Sequence, residues 1–202
     1  MVVSVYQLKP RFQSLLRPAL AFLAHAGVTA NQVTVAALLL SAAFGLSIAW
    51  FAAARWPLLL LPLALLARMA LNAIDGMLAR EYGMKSSLGA ILNELGDVLS
   101  DTVLYLPLGF LPGIEPAWLI AVVTLAILSE MTGVLAVMIG APRCYDGPMG
   151  RSDRAFVFGL VGLLMGLEIL PARGFDYAMM AMLLLLTLTI FNRARHALRE
   201  AA

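Results

Sequence analysis

The sequence predicts an all-α protein that is integral to a membrane. Of its 202 residues, 62% are hydrophobic and only 13% are charged, whereas a typical soluble domain is about half apolar and about a quarter charged. Apolar runs of about 20 residues, long enough to cross a bilayer as helices, recur along the chain. Lipid offers no partners for backbone polar groups, so each run must be helical. A net charge of +2 does not indicate nucleic-acid binding.

The positions of these runs predict six membrane spans. Short segments rich in proline or charge separate them, such as "RWP" after the first span and "PARG" before the last. The predicted spans are Val33–Ala54, Pro57–Ala79, Leu88–Leu111, Ala117–Gly140, Ala155–Leu170 and Phe175–Phe191. We therefore predict two regions, a membrane-surface segment over residues 1–30 and a six-helix transmembrane domain over residues 31–202.

The segment before the first span is predicted to be an amphipathic helix that lies on the membrane surface. Its apolar residues recur at helical spacing, whereas most of its basic residues fall elsewhere; the apolar set is Leu8, Phe12, Leu15, Ala19 and Leu23. Such a helix buries its apolar face in the interface and is attracted by anionic headgroups. A disordered basic tail is the alternative.

Lysine and arginine are concentrated at one end of the predicted spans. Eleven of the 14 lie in the two terminal segments and in the loops after the second and fourth spans. The other end has Arg55 and Arg173, and Arg68 lies inside the second span. Because cytoplasmic loops carry the excess of basic residues, both termini are predicted to face the cytoplasm.

One short stretch near the predicted cytoplasmic face concentrates polar residues. Asn72 and Asp75 lie one turn apart near the end of the second span, and Asn93, Asp97 and Asp101 follow at steps of four in the third. Residues three or four apart share a helix face, and a short turn joins the two helices. Asn72, Asp75, Asn93 and Asp97 are therefore predicted to converge on one point.

Several oxygen ligands at one point suit a hard divalent cation, Mg²⁺ or Mn²⁺, that bridges to a substrate phosphate. Lys85, Arg151 and Arg154 in the neighbouring cytoplasmic loops are the basic groups that such a substrate needs. Solvated helix-end charges and headgroup-anchoring arginines are the alternatives. Asp97 and Asp101 favour a functional site, because they lie two and three turns inside an apolar span.

The same stretch resembles the signature of the CDP-alcohol phosphotransferase family, D-x2-D-G-x2-A-R-x8-G-x3-D-x3-D. Six of the eight positions match at the correct spacing: Asp75, Gly76, Ala79, Arg80, Gly89 and Asp97. The segment "TANQVT" over residues 29–34 is similar to the polar motif before the family's first span, and the six-span layout agrees. Asn72 and Asn93 occupy the first and third acidic positions.

The resemblance implies a metal-dependent transferase of phospholipid synthesis, of the EC 2.7.8 type. Such an enzyme moves a phosphatidyl or phospho-alcohol group from a CDP-linked donor, such as CDP-diacylglycerol, to an acceptor alcohol and releases CMP. The implied cofactor is one or two ions of Mg²⁺ or Mn²⁺. The implied location is a bacterial inner membrane with the active site at the cytoplasmic face, and the family tends to form homodimers.

The resemblance also assigns roles to residues. Asp97 would serve as the base that activates the acceptor hydroxyl. The expected metal ligands are Asp75, Asp97, Asn72, Asn93 and Asp101. The expected nucleotide contacts are Thr34, Gly76, Ala79, Arg80 and Gly89. The expected phosphate or acceptor contacts are Lys85, Arg151 and Arg154.

The two asparagines leave three explanations open, because an amide offers an oxygen but no charge. The first is a site with a single metal ion, and the second is that Asp101 supplies the missing charge, with Glu94 as a weaker candidate. The third explanation is a catalytically silent member that binds CDP-lipid or a partner protein. The retained signature residues favour activity. A small transporter is a further class, but the sequence lacks the inverted repeat typical of transporters.

Four residues outside the signature also carry expectations. Glu130, near the middle of the fourth span, is expected to be protonated or to pair with Arg68, since an ionised side chain is costly there. Cys144 is the only cysteine, so no internal disulfide and no cysteine-based metal cluster is predicted. His25 and His196 show no metal-binding pattern and are assigned no metal.

Overall fold

A computed structural model describes the backbone of residues 5–201 and the side chains of residues 12–201. All regular secondary structure in this part of the chain is helical, which confirms the predicted all-α class. The seven α-helices are α1 Val5–His25, α2 Ala30–Trp50, α3 Trp56–Glu81, α4 Ser87–Tyr105, α5 Pro116–Leu135, α6 Arg151–Gly166 and α7 Ala172–Glu200. Short 3₁₀ segments, Leu106–Phe110 and Ala136–Ile139, follow α4 and α5.

Four of the described helices are long and apolar enough to cross a membrane. They are α2, α3, α5 together with its 3₁₀ extension, and α7. The other two predicted spans coincide with α4, which has 19 residues, and α6, which has 16. The chain is thus an integral membrane protein by its helices, while the count of six spans and the orientation of the termini stay predictions.

The predicted surface segment forms α1. Within it, Leu20 is buried, whereas Leu15 and Phe22 are about three-quarters exposed. The side chains of Leu8, Lys9 and Arg11, on which part of the amphipathic pattern depends, lie outside the described residues. Attachment of α1 to a membrane surface therefore stays a prediction.

The described chain divides into two compact units. The first comprises residues 5–41 and 66–100, and its apolar cluster is Leu20, Ala30, Val33, Ile74, Met77 and Leu78. The second comprises residues 42–65 and 101–201 and contains a larger apolar cluster. In that cluster Tyr105 stacks on Phe158, with ring centroids 3.9 Å apart.

Local capping interactions fix the helix ends that carry the polar residues of the first unit. Thr29 and Gln32 form a reciprocal capping box at the start of α2, with N···O distances of 2.9 and 3.3 Å. The turn from α3 to α4 contains Gly83 at φ +68, a conformation that glycine adopts without strain. The Ser86 hydroxyl then accepts a hydrogen bond from the Gly89 N–H at 2.9 Å and caps α4.

Candidate functional site

Two buried carboxylates form the centre of the polar site in the first unit. Asp75 of α3 is 4% exposed and Asp97 of α4 is 6% exposed, and the two are close enough to interact electrostatically. The Asn72 amide donates to Asp97 Oδ1 at 2.7 Å, and the Thr34 hydroxyl donates to Asp75 Oδ2 at 2.8 Å. The structure therefore brings together three of the four side chains that helical spacing predicted to converge.

Each carboxylate of this pair accepts a hydrogen bond from a neutral group. Two carboxylates at 2.7 Å would repel each other unless a cation or a proton lay between them, but an amide and a carboxylate attract. Asn72 therefore holds Asp97 in place without a metal ion, at a position where the signature has an acidic residue. An aspartate at position 72 in this geometry would require a bridging charge, and asparagine does not.

The side chains of this site fit a hard divalent cation. Asp75 and Asp97 supply carboxylate oxygens, and half-buried Asn93 lies one turn before Asp97 on α4. Oxygen donors of this kind are the ligands that Mg²⁺ and Mn²⁺ prefer.

The predicted nucleotide contacts surround this pair within the first unit. A Cβ on Gly76 would lie 3.1 Å from Nη1 of the exposed Arg80, so glycine lets the guanidinium approach the helix. A Cβ on Gly89 would lie 2.8 Å from Asn31 Oδ1, so the second signature glycine lets Asn31 of α2 approach α4. Asn31 belongs to the "TANQVT" segment, but the spacing of residues in that segment gave no reason to select Asn31 in addition to Thr34.

The other two predicted contacts of the first unit differ in exposure. Ala79 is half-buried on α3, and Lys85 is exposed in the turn between α3 and α4.

Arg68, which is 4% exposed, donates from Nη2 to the Asp97 carbonyl oxygen at 3.3 Å. Arg68 therefore supports the α4 backbone at the base of the carboxylate pair, a role that the sequence did not suggest.

The second unit contains a separate cluster of buried charges. Arg154 of α6 has a side chain only 1% exposed, and its Nη2 lies 3.0 Å from both Asp101 Oδ2 and Glu130 Oε1. The sequence predicted Asp101 as a metal ligand and Arg154 as a phosphate contact. This ion pair gives Asp101 a cationic partner within the protein, which works against its use as a replacement charge for a metal.

Glu130 of α5 is the hub of this cluster. Four arginines contact its carboxylate at 3.0–3.5 Å: Arg143, Arg151, Arg154 and Arg193. The partner predicted for Glu130 was Arg68, whereas these four arginines come from the α5–α6 loop, α6 and α7. Arg68 instead donates to the Asp97 carbonyl oxygen. Arg193 also donates to the Ser129 carbonyl oxygen at 2.5 Å. Sequence reasoning missed Arg193, because it lies in a C-terminal basic run that looks like a headgroup anchor.

This arginine cluster brings four guanidinium groups together in the second unit. Among its contacts are the carboxylates of Glu130 and Asp101. Arg143 and Arg151 keep 16% and 29% of their side-chain surface exposed, so solvent reaches both side chains. Clustered arginines of this kind bind phosphate and carboxylate groups through charge-assisted hydrogen bonds.

The helical fold and the buried carboxylate pair define a class of membrane-integral transferases. The chain belongs to the CDP-alcohol phosphatidyltransferase family, whose model matches residues 27–196. It is 46% identical over 200 residues to inner membrane protein YnbA of Escherichia coli (strain K12), across 99% of each chain. That similarity agrees with an integral membrane protein.

The fold is also similar to two crystal structures of phosphatidylinositol phosphate synthase (PgsA1) from Mycobacterium tuberculosis. The structure in complex with manganese and citrate has a TM-score of 0.74, covering 90% of this chain and 88% of that one. The structure with CDP-DAG bound has a TM-score of 0.76, covering 89% and 92%. Sequence identity is 18% in both, so the likeness establishes the fold alone.

Proposed function

We propose that the protein transfers a phosphatidyl group, or a phospho-alcohol group, from a CDP-linked donor to an acceptor alcohol and releases CMP. The observation that carries this proposal is the convergence of Asp75 and Asp97, together with the matching signature residues around them. CDP-diacylglycerol is the donor we favour, because a protein of the same fold, PgsA1, has been crystallised with CDP-DAG bound.

In the proposed reaction the acceptor hydroxyl attacks the phosphorus atom that carries the lipid group. A new oxygen–phosphorus bond forms, the bond to the CMP oxygen breaks, and CMP leaves with the bonding electrons. Asp97 accepts the hydroxyl proton as general base. Asn72 and Arg68 hold Asp97 in position, the first through its side chain and the second through its backbone carbonyl oxygen.

We propose one divalent cation, Mg²⁺ or Mn²⁺, held by Asp75 and Asp97 with amide oxygens of Asn72 or Asn93. When bound, such an ion neutralises charge on the diphosphate and aligns it for in-line attack. The manganese in a PgsA1 structure supports the choice of ion. Asp75 is oriented for this role by the Thr34 hydroxyl.

The remaining contacts are assigned by the chemistry of the donor and the acceptor. Gly76, Ala79 and Gly89 leave room for the nucleotide, and Thr34 and Arg80 contact it. Lys85 of the first unit contacts donor or acceptor phosphate. Arg151 and Arg154 belong to a cluster of four arginines, and clustered guanidinium groups suit a phosphate group.

We also propose six membrane spans with both termini and the active site at the cytoplasmic face of a bacterial inner membrane, where basic loops are expected. Homodimers are expected from the family resemblance. A reporter fused to either terminus should be active only in the cytoplasm. Labelling of an engineered cysteine at Lys85 from the periplasmic side would contradict the proposed orientation.

The reaction is tested by measuring CMP release from purified full-length protein. The assay contains CDP-diacylglycerol, Mg²⁺ or Mn²⁺, and a panel of acceptors that includes glycerol phosphate, inositol phosphate and serine. We expect CMP release with at least one acceptor and none without the metal ion. Binding of CDP-diacylglycerol is measured in parallel, so that a folded protein with intact donor binding can be recognised.

Asp97→Asn is the decisive variant, since it removes the base but keeps the size of the side chain. We expect it to bind the donor and to release no CMP. The matched control is Asp176→Asn. Asp176 lies near the start of α7, at the opposite end of that helix from Arg193 of the arginine cluster. Full activity of Asp97→Asn would exclude the role of base. Donor binding without CMP release for every acceptor would instead support a silent family member.

A further inference from the structure

A group of three potential metal ligands lies where the α5–α6 loop meets the end of α7. Cys144 Sγ is 3.1 Å from Asp146 Oδ2 and 3.8 Å from His196 Nδ1, and His196 Nδ1 is 3.4 Å from Asp146 Oδ2. All three residues belong to the second unit. Cys144 is buried, while Asp146 and His196 are partly exposed, so the group is open to solvent on one side.

The spacing of the three atoms matches one face of a tetrahedral zinc site. Zinc binds cysteine sulfur at about 2.3 Å, and histidine nitrogen or carboxylate oxygen at about 2.0–2.2 Å. Those bond lengths give tetrahedral edges of about 3.3–3.6 Å. The Nδ1–Oδ2 separation of 3.4 Å lies within this range, the Sγ–Oδ2 separation of 3.1 Å lies about 0.2 Å below it, and the Sγ–Nδ1 separation of 3.8 Å lies about 0.2 Å above it. A thiolate, an imidazole and a carboxylate are moreover a donor set that suits Zn²⁺ better than Mg²⁺.

The histidine is arranged as metal-bound histidines usually are. His196 Nε2 faces Glu200 Oε1 at 3.6 Å, one helical turn further along α7. Metal-ligating histidines typically offer their second ring nitrogen to a carboxylate, which fixes the tautomer and the ring orientation. Glu200 would thus leave Nδ1, the atom that faces Cys144 and Asp146, as the ligand atom.

The loop that carries Cys144 and Asp146 is held in place by other contacts. The Cys144 N–H donates to the Gly133 carbonyl oxygen at 3.1 Å, and Arg193 Nε donates to the Asp146 carbonyl oxygen at 3.2 Å. Gly133 has no Cβ, and any Cβ there would overlap the Cys144 carbonyl oxygen. Little rearrangement would be needed for the three side chains to close on an ion.

A nucleophilic cysteine is the chemical alternative for such a group, and the surroundings do not favour it. Cys144 is buried, and its Sγ lies 3.1 Å from an oxygen of the negatively charged Asp146 carboxylate. Activated cysteines instead lie in electropositive surroundings that lower the thiol pKa. A cation bound by all three side chains would relieve the repulsion between thiolate and carboxylate.

We propose that Cys144, Asp146 and His196 bind one divalent transition-metal ion, Zn²⁺ or an ion of similar preference, with water at the fourth position. The ion would link the α5–α6 loop, which carries Cys144 and Asp146, to the end of α7, which carries His196. This site is distinct from the oxygen-ligand site proposed around Asp75 and Asp97, and it does not depend on the proposed reaction.

Cobalt binding tests the proposal without reference to activity. The full-length protein is purified with a histidine-free tag, stripped with a chelator and titrated with Co²⁺. Because Cys144 is the only cysteine, a thiolate-to-cobalt charge-transfer band reports this residue alone. We expect the band to saturate at one ion per chain and to disappear on addition of Zn²⁺. An oxygen-only site would bind Co²⁺ without this band.

The variants identify the ligands. Cys144→Ser should abolish the band, His196→Gln should weaken Co²⁺ binding by at least 10-fold, and Glu200→Gln should weaken it by about 10-fold. The matched control is His25→Gln, since His25 donates to its own helix at Ala21 and should leave the band unchanged. Folding of each variant is verified by helical circular dichroism. A folded wild type without the band, or an unchanged band in His196→Gln, would overturn the proposal.

Discussion

Glu130→Gln is the most direct test of the arginine cluster. The substitution keeps the size of the side chain and removes the negative charge that four arginines share. Arg154 would keep Asp101 as a partner, but Arg193, whose side chain is 2% exposed, would lose its ion pair. A buried guanidinium without its counter-charge is costly, so the folded state should lose stability.

The size of this loss follows from the burial of the groups. Breaking a buried ion pair by removal of one partner costs about 3–5 kcal/mol. Glu130 is 4% exposed, which places it in that class. For a chain of this length, each kcal/mol lowers the melting temperature by about 2–4 °C. Glu130→Gln should therefore melt roughly 6–20 °C below the wild type.

The assay is thermal unfolding in detergent, followed by circular dichroism. The matched control is Glu168→Gln, which breaks the ion pair between Arg55 and Glu168. Those two side chains are 64% and 61% exposed, so the loss should be about 0–1 kcal/mol. If the two variants melted at the same temperature, Glu130 would not be the counter-charge that stabilises the cluster.

Three further substitutions test the carboxylate pair and the helix packing. Asn72→Asp replaces the amide that lies 2.7 Å from Asp97 with a second carboxylate. Because a cation would relieve the repulsion between the two carboxylates, Mn²⁺ should raise the melting temperature of this variant more than that of the wild type. Equal rises in the two proteins would contradict the role given to Asn72. Gly45→Ala adds a methyl group that overlaps the Val103 carbonyl oxygen and should cost about 1–3 kcal/mol. Gly96→Ala meets only a Thr34 methyl carbon at 3.4 Å and should gain up to about 1 kcal/mol of helix propensity. Thermal unfolding would refute this contrast if Gly96→Ala were the less stable of the two.

The carboxylate pair could be predicted from the sequence because local helix geometry decides it. Asn72 and Asp75 are one turn apart on α3, and Asp97 lies on α4 beyond a five-residue turn. Such a short connection makes the two helices antiparallel neighbours, so few arrangements of their polar faces remain. The all-α class followed from composition in the same way, because a backbone in lipid must be helical.

The partners of Glu130 and His196 could not be predicted, because they depend on packing between distant segments. Glu130 meets Arg193 across 63 positions of sequence, and Cys144 meets His196 across 52. Periodicity identifies the face on which a residue lies but not the helix that this face contacts. A single cysteine and an isolated histidine therefore gave no metal pattern, although folding places them 3.8 Å apart.

The contrast between two aspartates of α4 bears on the number of metal ions. Asp97 and Asp101 are four residues apart and equally buried, so spacing alone made them equivalent candidates. The Asn72 amide donates to the Asp97 carboxylate, and the Arg154 guanidinium donates to the Asp101 carboxylate. The buried guanidinium of Arg154 compensates the charge of Asp101, so this carboxylate has less negative charge to offer a divalent cation. Asp101 is therefore a poor substitute for the acidic residues that Asn72 and Asn93 replace, which supports the proposal of a single ion held by Asp75 and Asp97.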